Sequence, residues 1–155
     1  MTKSALFVCL GNICRSPIAE AVFAQALQER GVRDQWRVDS AALGDWHVGR
    51  APDRRAQATM KKHNVPMNCK ARVVRTSDFR EFDYVFGMDE SNISELKDLA
   101  PSNSTAQIEL LGKYDPEGAL IIRDPYYDDG DQGFETCYQQ CLRCCGAFLD
   151  SINVK

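Results

Sequence analysis

Near the start of the chain, a cysteine and an arginine stand on either side of five residues, in the stretch Cys9-Leu-Gly-Asn-Ile-Cys-Arg15-Ser16. A thiolate is a strong nucleophile, and a guanidinium can bind two phosphoryl oxygens in one plane. A cysteine aimed at a phosphoryl group would form a cysteinyl phosphate. The residue types therefore indicate phosphoryl transfer, with Cys9 as the nucleophile and Arg15 as the group that binds the phosphoryl oxygens.

The residues on either side of this stretch predict a turn from a strand into a helix. Ala5–Val8 is a short apolar run typical of a buried strand, and Pro17 begins a series of helix-forming residues that continues to Arg30. The amide N–H groups of the intervening loop would converge at a helix N-terminus, which favours a bound dianion and the thiolate form of Cys9. We therefore predict a phosphate loop between the first strand and the first helix.

Three residues of this loop have separate predicted roles. Gly11 tolerates a positive φ and lets the backbone approach an anion closely. Asn12 also tolerates a left-handed conformation, and its amide can brace the loop. Ser16 could donate a hydrogen bond to the Cys9 sulfur, which would stabilise the sulfur both as nucleophile and as leaving group.

The departing oxygen of a phosphate ester needs a proton, and Asp124 is the candidate donor. It lies on a polar loop directly before Pro125, and in a second step it could take a proton from water. Taken alone, Asp124 reads as a turn carboxylate, because Asp-Pro pairs begin many loops. Likewise, Cys9 alone could be a buried thiol at the end of a strand. The combination of these residues is what favours catalysis.

The composition bounds the class of protein. The chain has 155 residues, 44% of them hydrophobic and 26% charged, which is typical of one globular domain spanning residues 1–155. A net charge of -3 and a pI near 5.4 predict no nucleic-acid or membrane partner. No apolar run reaches the length of a signal peptide or membrane span, so the seven cysteines are expected to be mostly reduced thiols in a cytoplasmic protein.

Predicted strands and helices alternate along the chain. The strands are Ala5–Val8, Trp36–Ser40, Phe82–Phe86 and Ala106–Leu111, and the helices run from about Pro17 to Arg30, Pro52 to Lys62, Asp89 to just before Pro101, and Phe134 to Ile152. This order predicts an α/β fold, a four-stranded parallel sheet with helices on both faces. Ligands of such sheets bind beyond the carboxyl ends of the strands, which is where Cys9 lies.

Several stretches together are similar to the low molecular weight protein tyrosine phosphatases of the eukaryotic type. They are Leu6–Pro17, Val38–Ser40, Met88–Ser91, Asp124–Tyr127 and Phe134–Cys145, and the resemblance covers nearly the whole chain. It implies a four-stranded parallel sheet flanked by helices and hydrolysis of phosphotyrosine without metal or cofactor. The expected partners are tyrosine-phosphorylated proteins and small aryl phosphates. A monomer is expected, with weak self-association through the aromatics around Tyr126 and Tyr127 as a possibility.

The resemblance also implies a role for each matching residue. Cys9 matches the family nucleophile, Arg15 the phosphate clamp and Asp124 the general acid. The expected substrate-binding residues are Leu10, Gly11, Asn12, Ile13, Cys14, Ser16, Trp46, Tyr126 and Tyr127. Asn12, Ser16 and Ser40 match the hydrogen-bond network that supports the loop. Trp46, Tyr126 and Tyr127 match the walls of the substrate cleft, where they would stack on a flat aryl ester, although all three could also be exposed loop aromatics.

Two cysteines have competing interpretations. Cys14 could be a small side chain packed against the sheet, whereas the resemblance suggests that it captures oxidised Cys9 as a disulfide and so protects it from overoxidation. Cys69 stands where vertebrate relatives have a histidine in the loop-supporting network. This departure predicts a difference in turnover or in thiolate stability, although the residues expected to contact the phosphoryl group are intact.

The remaining cysteines and the histidines favour structural roles. Cys137, Cys141, Cys144 and Cys145 follow one face of a predicted helix among apolar residues, which is typical of a core stripe rather than a metal site. His47 and His63 neighbour Cys9 in no recognisable motif, so surface or loop positions are expected for both.

Other functions fit less well. Arsenate reduction would need further cysteines after the third strand, and none occurs between Cys69 and Cys137. A non-enzymatic phosphopeptide-binding or redox-sensing module would predict loss of the nucleophile or the acid, yet Cys9, Arg15 and Asp124 are all present. A nucleotide-binding P-loop is excluded because no GxxxxGK[ST] sequence occurs.

Overall fold

Four parallel strands form the centre of the molecule, in a computed structural model that describes residues 2–154. They are β1 (Lys3–Cys9), β2 (Trp36–Ala42), β3 (Tyr84–Gly87) and β4 (Gln107–Leu110), and their order in the sheet is β2-β1-β3-β4. Because β1 lies between β2 and β3, the loop that follows Cys9 leaves the middle of the sheet edge. The predicted four-stranded parallel α/β fold is confirmed.

Five α-helices connect and cover the strands. They are α1 (Arg15–Glu29), α2 (Arg54–Lys62), α3 (Asp78–Glu81), α4 (Glu90–Leu99) and α5 (Gln132–Ser151), and short 3-10 turns occur at Arg33–Gln35 and Leu111–Tyr114. Side-chain carboxylates cap two of the helices: Asp53 accepts from the Arg55 N–H of α2, and Asp89 accepts from the Asn92 N–H of α4. The Asp89 carboxylate also binds Arg15 at 2.6 Å, and the Asp53 backbone N–H donates to the Ile13 carbonyl at 2.7 Å.

Alternate residues of β1 face two separate hydrophobic layers. Phe7 packs against Phe23 of α1, at 5.3 Å between ring centroids, on the face that α1 and α5 cover. Leu6 and Val8 face the opposite layer, which contains Phe79 of α3 and Leu96 of α4. The prediction of helices on both faces is therefore confirmed, and burial of both faces explains why β1 reads as a continuous apolar run.

Some boundaries differ from the predicted ones. The helix α1 begins at Arg15, two residues before Pro17, so Arg15 and Ser16 belong to its first turn. The short helix α3 is not predicted. It ends at Glu81, and β3 begins at Tyr84, two residues after the predicted start at Phe82. A helix of four residues is too short to show a 3.6-residue hydrophobic period.

The cysteines of α5 lie in the core, as predicted. Cys137, Cys141, Cys144 and Cys145 are at most 1% exposed. Burial raises the pKa of the Cys144 thiol to about 12 and raises that of Cys145 well above its ordinary value. Within residues 2–154, no group of three or more His, Cys, Asp or Glu side chains is arranged to hold a metal ion. Over the same range, no helix combines the length and the apolar character needed to cross a membrane.

Candidate active site

The loop from Leu10 to Cys14 joins the carboxyl end of β1 to the N-terminus of α1. Across residues 2–154, no acceptor is hydrogen-bonded to the amide N–H groups of residues 11–15. Free N–H groups at a helix N-terminus form an anion-binding concavity. The residue with positive φ in this loop is Asn12, at 57°, and not Gly11. Gly11 instead makes room for the His47 ring, which a Cβ at Gly11 would meet at 3.0 Å.

Cys9 lies at the base of this loop and is only 3% exposed. Its Sγ is 3.0 Å from Ser16 Oγ, and the Ser16 backbone N–H also donates to it at 3.4 Å. Asn12 Nδ2 donates to Ser16 Oγ at 2.8 Å, so the hydroxyl hydrogen of Ser16 remains for the sulfur. Ser16 therefore makes the predicted contact with the Cys9 sulfur, and Asn12 braces the loop by its hydrogen bond to Ser16.

Arg15 is 2% exposed, and within residues 2–154 its guanidinium donates hydrogen bonds through Nη1 alone. Its Nη1 donates to Asp89 Oδ2 at 2.6 Å and to the Ile122 carbonyl at 3.0 Å, whereas its buried Nε has no partner among residues 2–154. Burial acts to lower the pKa of Arg15, but Cys9, Asp89 and Asp124 outweigh burial, and the pKa lies above its ordinary value. The charged guanidinium can therefore bind an anion through its unused donors.

Asp124 lies beside Arg15 across the cleft from the loop. Its Oδ2 is 3.6 Å from Arg15 Nη2, and its Oδ1 accepts from the Tyr126 N–H at 3.0 Å. The carboxyl group is partly exposed, which leaves one oxygen accessible to a bound molecule. The structure thus places Asp124 beside Arg15 and in the same cleft as Cys9, although Asp124 and Cys9 are far apart in the sequence.

A cleft of about 290 Å³ opens above Cys9. Leu10, Gly11, Ile13, Cys14 and Asp124 line its lower part, and Trp46, His47, Tyr126 and Tyr127 form its upper walls. The Trp46 and Tyr127 side chains are 64% and 82% exposed, so the cleft remains open to a bulky substrate. Trp46 folds back over Gly44, where a Cβ would lie 1.9 Å from the indole ring, so only glycine permits this position.

Two further predicted residues lie apart from the loop. Ser40, on β2, donates a hydrogen bond to Glu20 of α1, and its hydroxyl is not bonded to the loop among residues 2–154. Cys69 neighbours Ser40 and Glu20, and burial raises the pKa of its thiol to about 12, with a further rise from the Glu20 carboxylate. Burial likewise raises the pKa of Glu20. The loop itself is bonded through Asn12 Oδ1 to the Arg72 N–H at 3.1 Å.

Two residues of this site, Asp89 and His47, have no role predicted from the sequence. Asp89 caps α4 and binds Arg15. The sequence feature that could have indicated this residue is a carboxylate directly after a predicted strand and before a predicted helix. His47 lies in the loop after β2, within the predicted surface or loop position, and its ring also lines the cleft, 6.0 Å from that of Tyr126. No local pattern indicates this contact, because the loop after β2 must fold back to make it.

Known proteins match this chain over almost its full length. The sequence model of the family described as low molecular weight phosphotyrosine protein phosphatase matches residues 4–155. A human protein of that name is 54% identical over 154 residues, which cover 98% of this chain and 97% of the human one. Among solved structures, Primo-1 has a TM-score of 0.92 at 50% identity and covers 96% of this chain and 97% of its own.

A second solved structure carries a different substrate in its name. The Drosophila arginine phosphatase DARP has a TM-score of 0.92 at 41% identity, with 96% of this chain and 97% of that chain covered. The fold, the site and these matches together define a protein phosphatase, a phosphoric monoester hydrolase. This chain belongs to the low molecular weight phosphotyrosine protein phosphatase family.

Proposed function

We propose that the chain hydrolyses phosphotyrosine in two steps, with Cys9 as the nucleophile, Arg15 as the phosphoryl clamp and Asp124 as the general acid and base. The observation that carries the proposal is that Cys9 and Asp124 line one cleft and that Arg15 Nη2 lies 3.6 Å from Asp124 Oδ2. Beside them, the N–H groups of residues 11–15 have no hydrogen-bond acceptor within residues 2–154. Such a loop and the unused donors of Arg15 match the oxygens of a phosphoryl group.

In the first step, the Cys9 thiolate attacks phosphorus and the bond to the aryl oxygen breaks. The equatorial oxygens carry the charge of the transition state, and Arg15 with the loop N–H groups stabilises them. Protonated Asp124 gives its proton to the departing aryl oxygen, so the product leaves as a neutral phenol. Ser16 donates to the sulfur, which lowers the free energy of the thiolate before attack.

In the second step, water attacks the cysteinyl phosphate and the sulfur–phosphorus bond breaks. Asp124, now ionised, takes a proton from the water, and the Cys9 thiolate departs as inorganic phosphate forms. The hydrogen bond from Ser16 stabilises the sulfur as a leaving group in this step. Every atom of the reaction is supplied by the ester and water.

Phosphate release from an aryl phosphate in the presence of EDTA tests this proposal. We expect activity in the wild-type protein, none in Cys9→Ser, and a fall of about 100-fold or more in Asp124→Ala. Trapped cysteinyl phosphate in Asp124→Ala, detected by mass after rapid acid quench, would identify the intermediate. An inactive wild-type protein under reducing conditions would instead leave the loop as a phosphopeptide-binding site.

The aromatic walls favour an aryl ester, because Trp46 and Tyr126 can stack on a flat ring. Phosphoarginine is the second candidate substrate, favoured by the 41% identity to DARP, and a guanidinium can stack on the same rings. Matched peptides that carry phosphotyrosine or phosphoarginine separate the two classes through kcat/KM. A higher kcat/KM for phosphoarginine would overturn the assignment of phosphotyrosine as the main substrate.

We also propose that Cys14 protects the nucleophile from overoxidation. Peroxide would convert Cys9 to a sulfenic acid, and the Cys14 thiol would then displace water to form a disulfide. Both cysteines line the cleft, and Cys9 is one of the neighbours that raise the pKa of Cys14, after burial and Asp53. In Cys14→Ser, peroxide followed by dithiothreitol should restore less activity than in the wild type. Full recovery in this variant would overturn the role of Cys14.

A further inference from the structure

Arg55 connects α2 to the loop that carries Asp124. Its Nη1 donates to the Asp128 carbonyl at 2.7 Å, and its Nη2 donates to the Tyr126 carbonyl at 2.8 Å. The guanidinium carbon also lies 4.5 Å from the centre of the Phe134 ring, in the first turn of α5. One side chain therefore binds the loop after Asp124 at two carbonyl groups and packs against the helix that follows it.

The Tyr126 residue transmits this contact to the carboxyl group of Asp124. The Tyr126 N–H donates to Asp124 Oδ1 at 3.0 Å, while the Tyr126 carbonyl accepts from Arg55. Fixing the carbonyl restricts the backbone of Tyr126, and so restricts the direction of its N–H. The other oxygen of Asp124 is the one that faces Arg15, at 3.6 Å. The orientation of the acid thus depends on a bond made two residues further along the chain.

Asp53 connects Arg55 to the loop between Cys9 and Arg15. Its Oδ1 and Oδ2 each accept from the Arg55 guanidinium at 3.1 Å, and its backbone N–H donates to the Ile13 carbonyl at 2.7 Å. Burial acts to raise the pKa of Asp53, but the hydrogen bonds from Arg55 outweigh it and hold the pKa below its ordinary value. The ion pair therefore persists at neutral pH and joins the loop of the nucleophile to the loop of the acid.

We propose that Arg55 is a positioning residue for proton transfer by Asp124. Through the Tyr126 carbonyl and Asp53, it sets where the carboxyl group lies relative to the phosphoryl group on Cys9. This inference rests on the proposed role of Asp124 as the general acid. Arg55 does not itself line the cleft, so it acts on the departing oxygen only through Asp124.

The dependence of kcat/KM on the leaving group tests this role. Para-nitrophenol departs readily as an anion, whereas phenol needs the proton that Asp124 supplies. In Arg55→Gln we expect kcat/KM to fall about tenfold or more for phenyl phosphate, because general acid catalysis contributes about 100-fold or more, and to fall much less for para-nitrophenyl phosphate. Arg55→Lys, which keeps the charge but not the planar fork, should give an intermediate loss.

Arg54→Gln is the matched control, because the Arg54 side chain is exposed and makes no hydrogen bond or ion pair with another residue of the range 2–154. Inhibition by inorganic phosphate checks that the loop from Leu10 to Cys14 still binds an anion in each variant. In an Asp124→Asn background, Arg55→Gln should cause no further selective loss on phenyl phosphate, since no proton is left to position.

Two results separate failure of this inference from failure of the proposed function. Equal losses on both esters in Arg55→Gln and Arg55→Lys, with a selective loss in Asp124→Asn, would overturn the role of Arg55 alone. No selective loss in Asp124→Asn would overturn the assignment of the acid, and the role of Arg55 with it.

Discussion

Ser16 has two partners, and the directions of its hydrogen bonds decide what it can do for Cys9. Asn12 Nδ2 donates to the hydroxyl oxygen, and Asn12 Oδ1 accepts from the Arg72 N–H. Because this backbone N–H can only donate, it fixes which end of the Asn12 amide faces Ser16. The hydroxyl hydrogen is then directed to the sulfur. At the scale of single residues, a chain of hydrogen bonds therefore runs from the Arg72 N–H through Asn12 and Ser16 to the sulfur of Cys9, the proposed nucleophile.

Cys69 offers a prediction at the same scale. Its thiol pKa of about 12 keeps it neutral beside Glu20 and Ser40, whereas a histidine there could carry charge. A cavity of about 170 Å³ next to Cys69 leaves room for the larger ring. We expect Cys69→His to change kcat by about threefold to tenfold and to shift the pH profile, as a change of about 1 kcal/mol would do.

Steady-state kinetics between acid and alkaline pH would measure this effect, with Cys69→Ser as the control of similar size. The Ser variant should keep the wild-type profile because it adds no titrating group. Unchanged turnover and an unchanged pH profile in Cys69→His would show that this position does not influence the loop.

At the scale of elements, Asp89 does two things at the start of α4. Its Oδ1 caps the helix by accepting from the Asn92 N–H at 2.8 Å, and its Oδ2 binds Arg15 at 2.6 Å. The cap fixes the carboxylate on the end of β3, which is a neighbour of β1 in the sheet. The position of Arg15, the proposed phosphoryl clamp, therefore depends on the packing of α4 against the sheet.

Two variants of Asp89 separate these functions. Asn caps helices as well as Asp does, but its amide N–H₂ would face Arg15 Nη1, where both groups are donors. We expect Asp89→Asn to keep the helix cap and to lower kcat/KM about tenfold, because Arg15 loses a charged partner. Asp89→Ala should show a similar kinetic loss and in addition lose about 1 kcal/mol of stability.

Urea unfolding and kinetics with para-nitrophenyl phosphate would check both expectations. If kcat/KM of Asp89→Asn stayed within twofold of the wild type, Arg15 would be held adequately by the Ile122 carbonyl alone.

The elements themselves were largely predictable, because apolar runs such as Ala5–Val8 and helix signals such as Pro17 are local. The pairing of Cys9 with Arg15 was predictable for the same reason, since both residues lie in one short stretch. The partner of Arg15 was not, because Asp89 is 74 residues away and its approach depends on how α4 packs. The contact of His47 with Gly11 likewise depends on the path of a long loop.

At the scale of the whole molecule, a partly buried ion pair joins α5 to the segment after β4. Arg143 Nε and Nη2 donate to Asp115 Oδ1 and Oδ2, each at 3.0 Å. These hydrogen bonds lower the pKa of Asp115 against the opposing effect of burial. A carboxylate with a lowered folded-state pKa contributes stability above its ordinary pKa, and the contribution is lost as the pH falls through the lowered value.

Arg143→Gln should therefore destabilise the protein in a pH-dependent way. We expect a loss of about 1–2 kcal/mol in the free energy of unfolding near neutral pH, since Asp115 loses a charged partner that is itself partly exposed. The difference from the wild type should shrink as the pH falls below about 4, where Asp115 becomes protonated in the unfolded state, and should vanish once the pH is below the lowered pKa of the folded state.

Urea unfolding at neutral and acidic pH would measure this difference. Glu117→Gln is the control, because Glu117 is exposed and lies 3.3 Å from the same arginine. A loss in Arg143→Gln that is equal at all pH values would mean that packing of the arginine stem, and not its charge, carries the effect.

The placement of the aromatic rings also gives the protein two separate optical signals. The chain has two tryptophans: Trp36 is 5% exposed and packs against Phe23, whereas Trp46 is 64% exposed on the wall of the cleft. Iodide in solution can quench the fluorescence of Trp46 but not that of Trp36. Emission from Trp46 thus reports occupation of the cleft, and a red shift of Trp36 reports unfolding, so one unlabelled sample distinguishes ligand binding from denaturation.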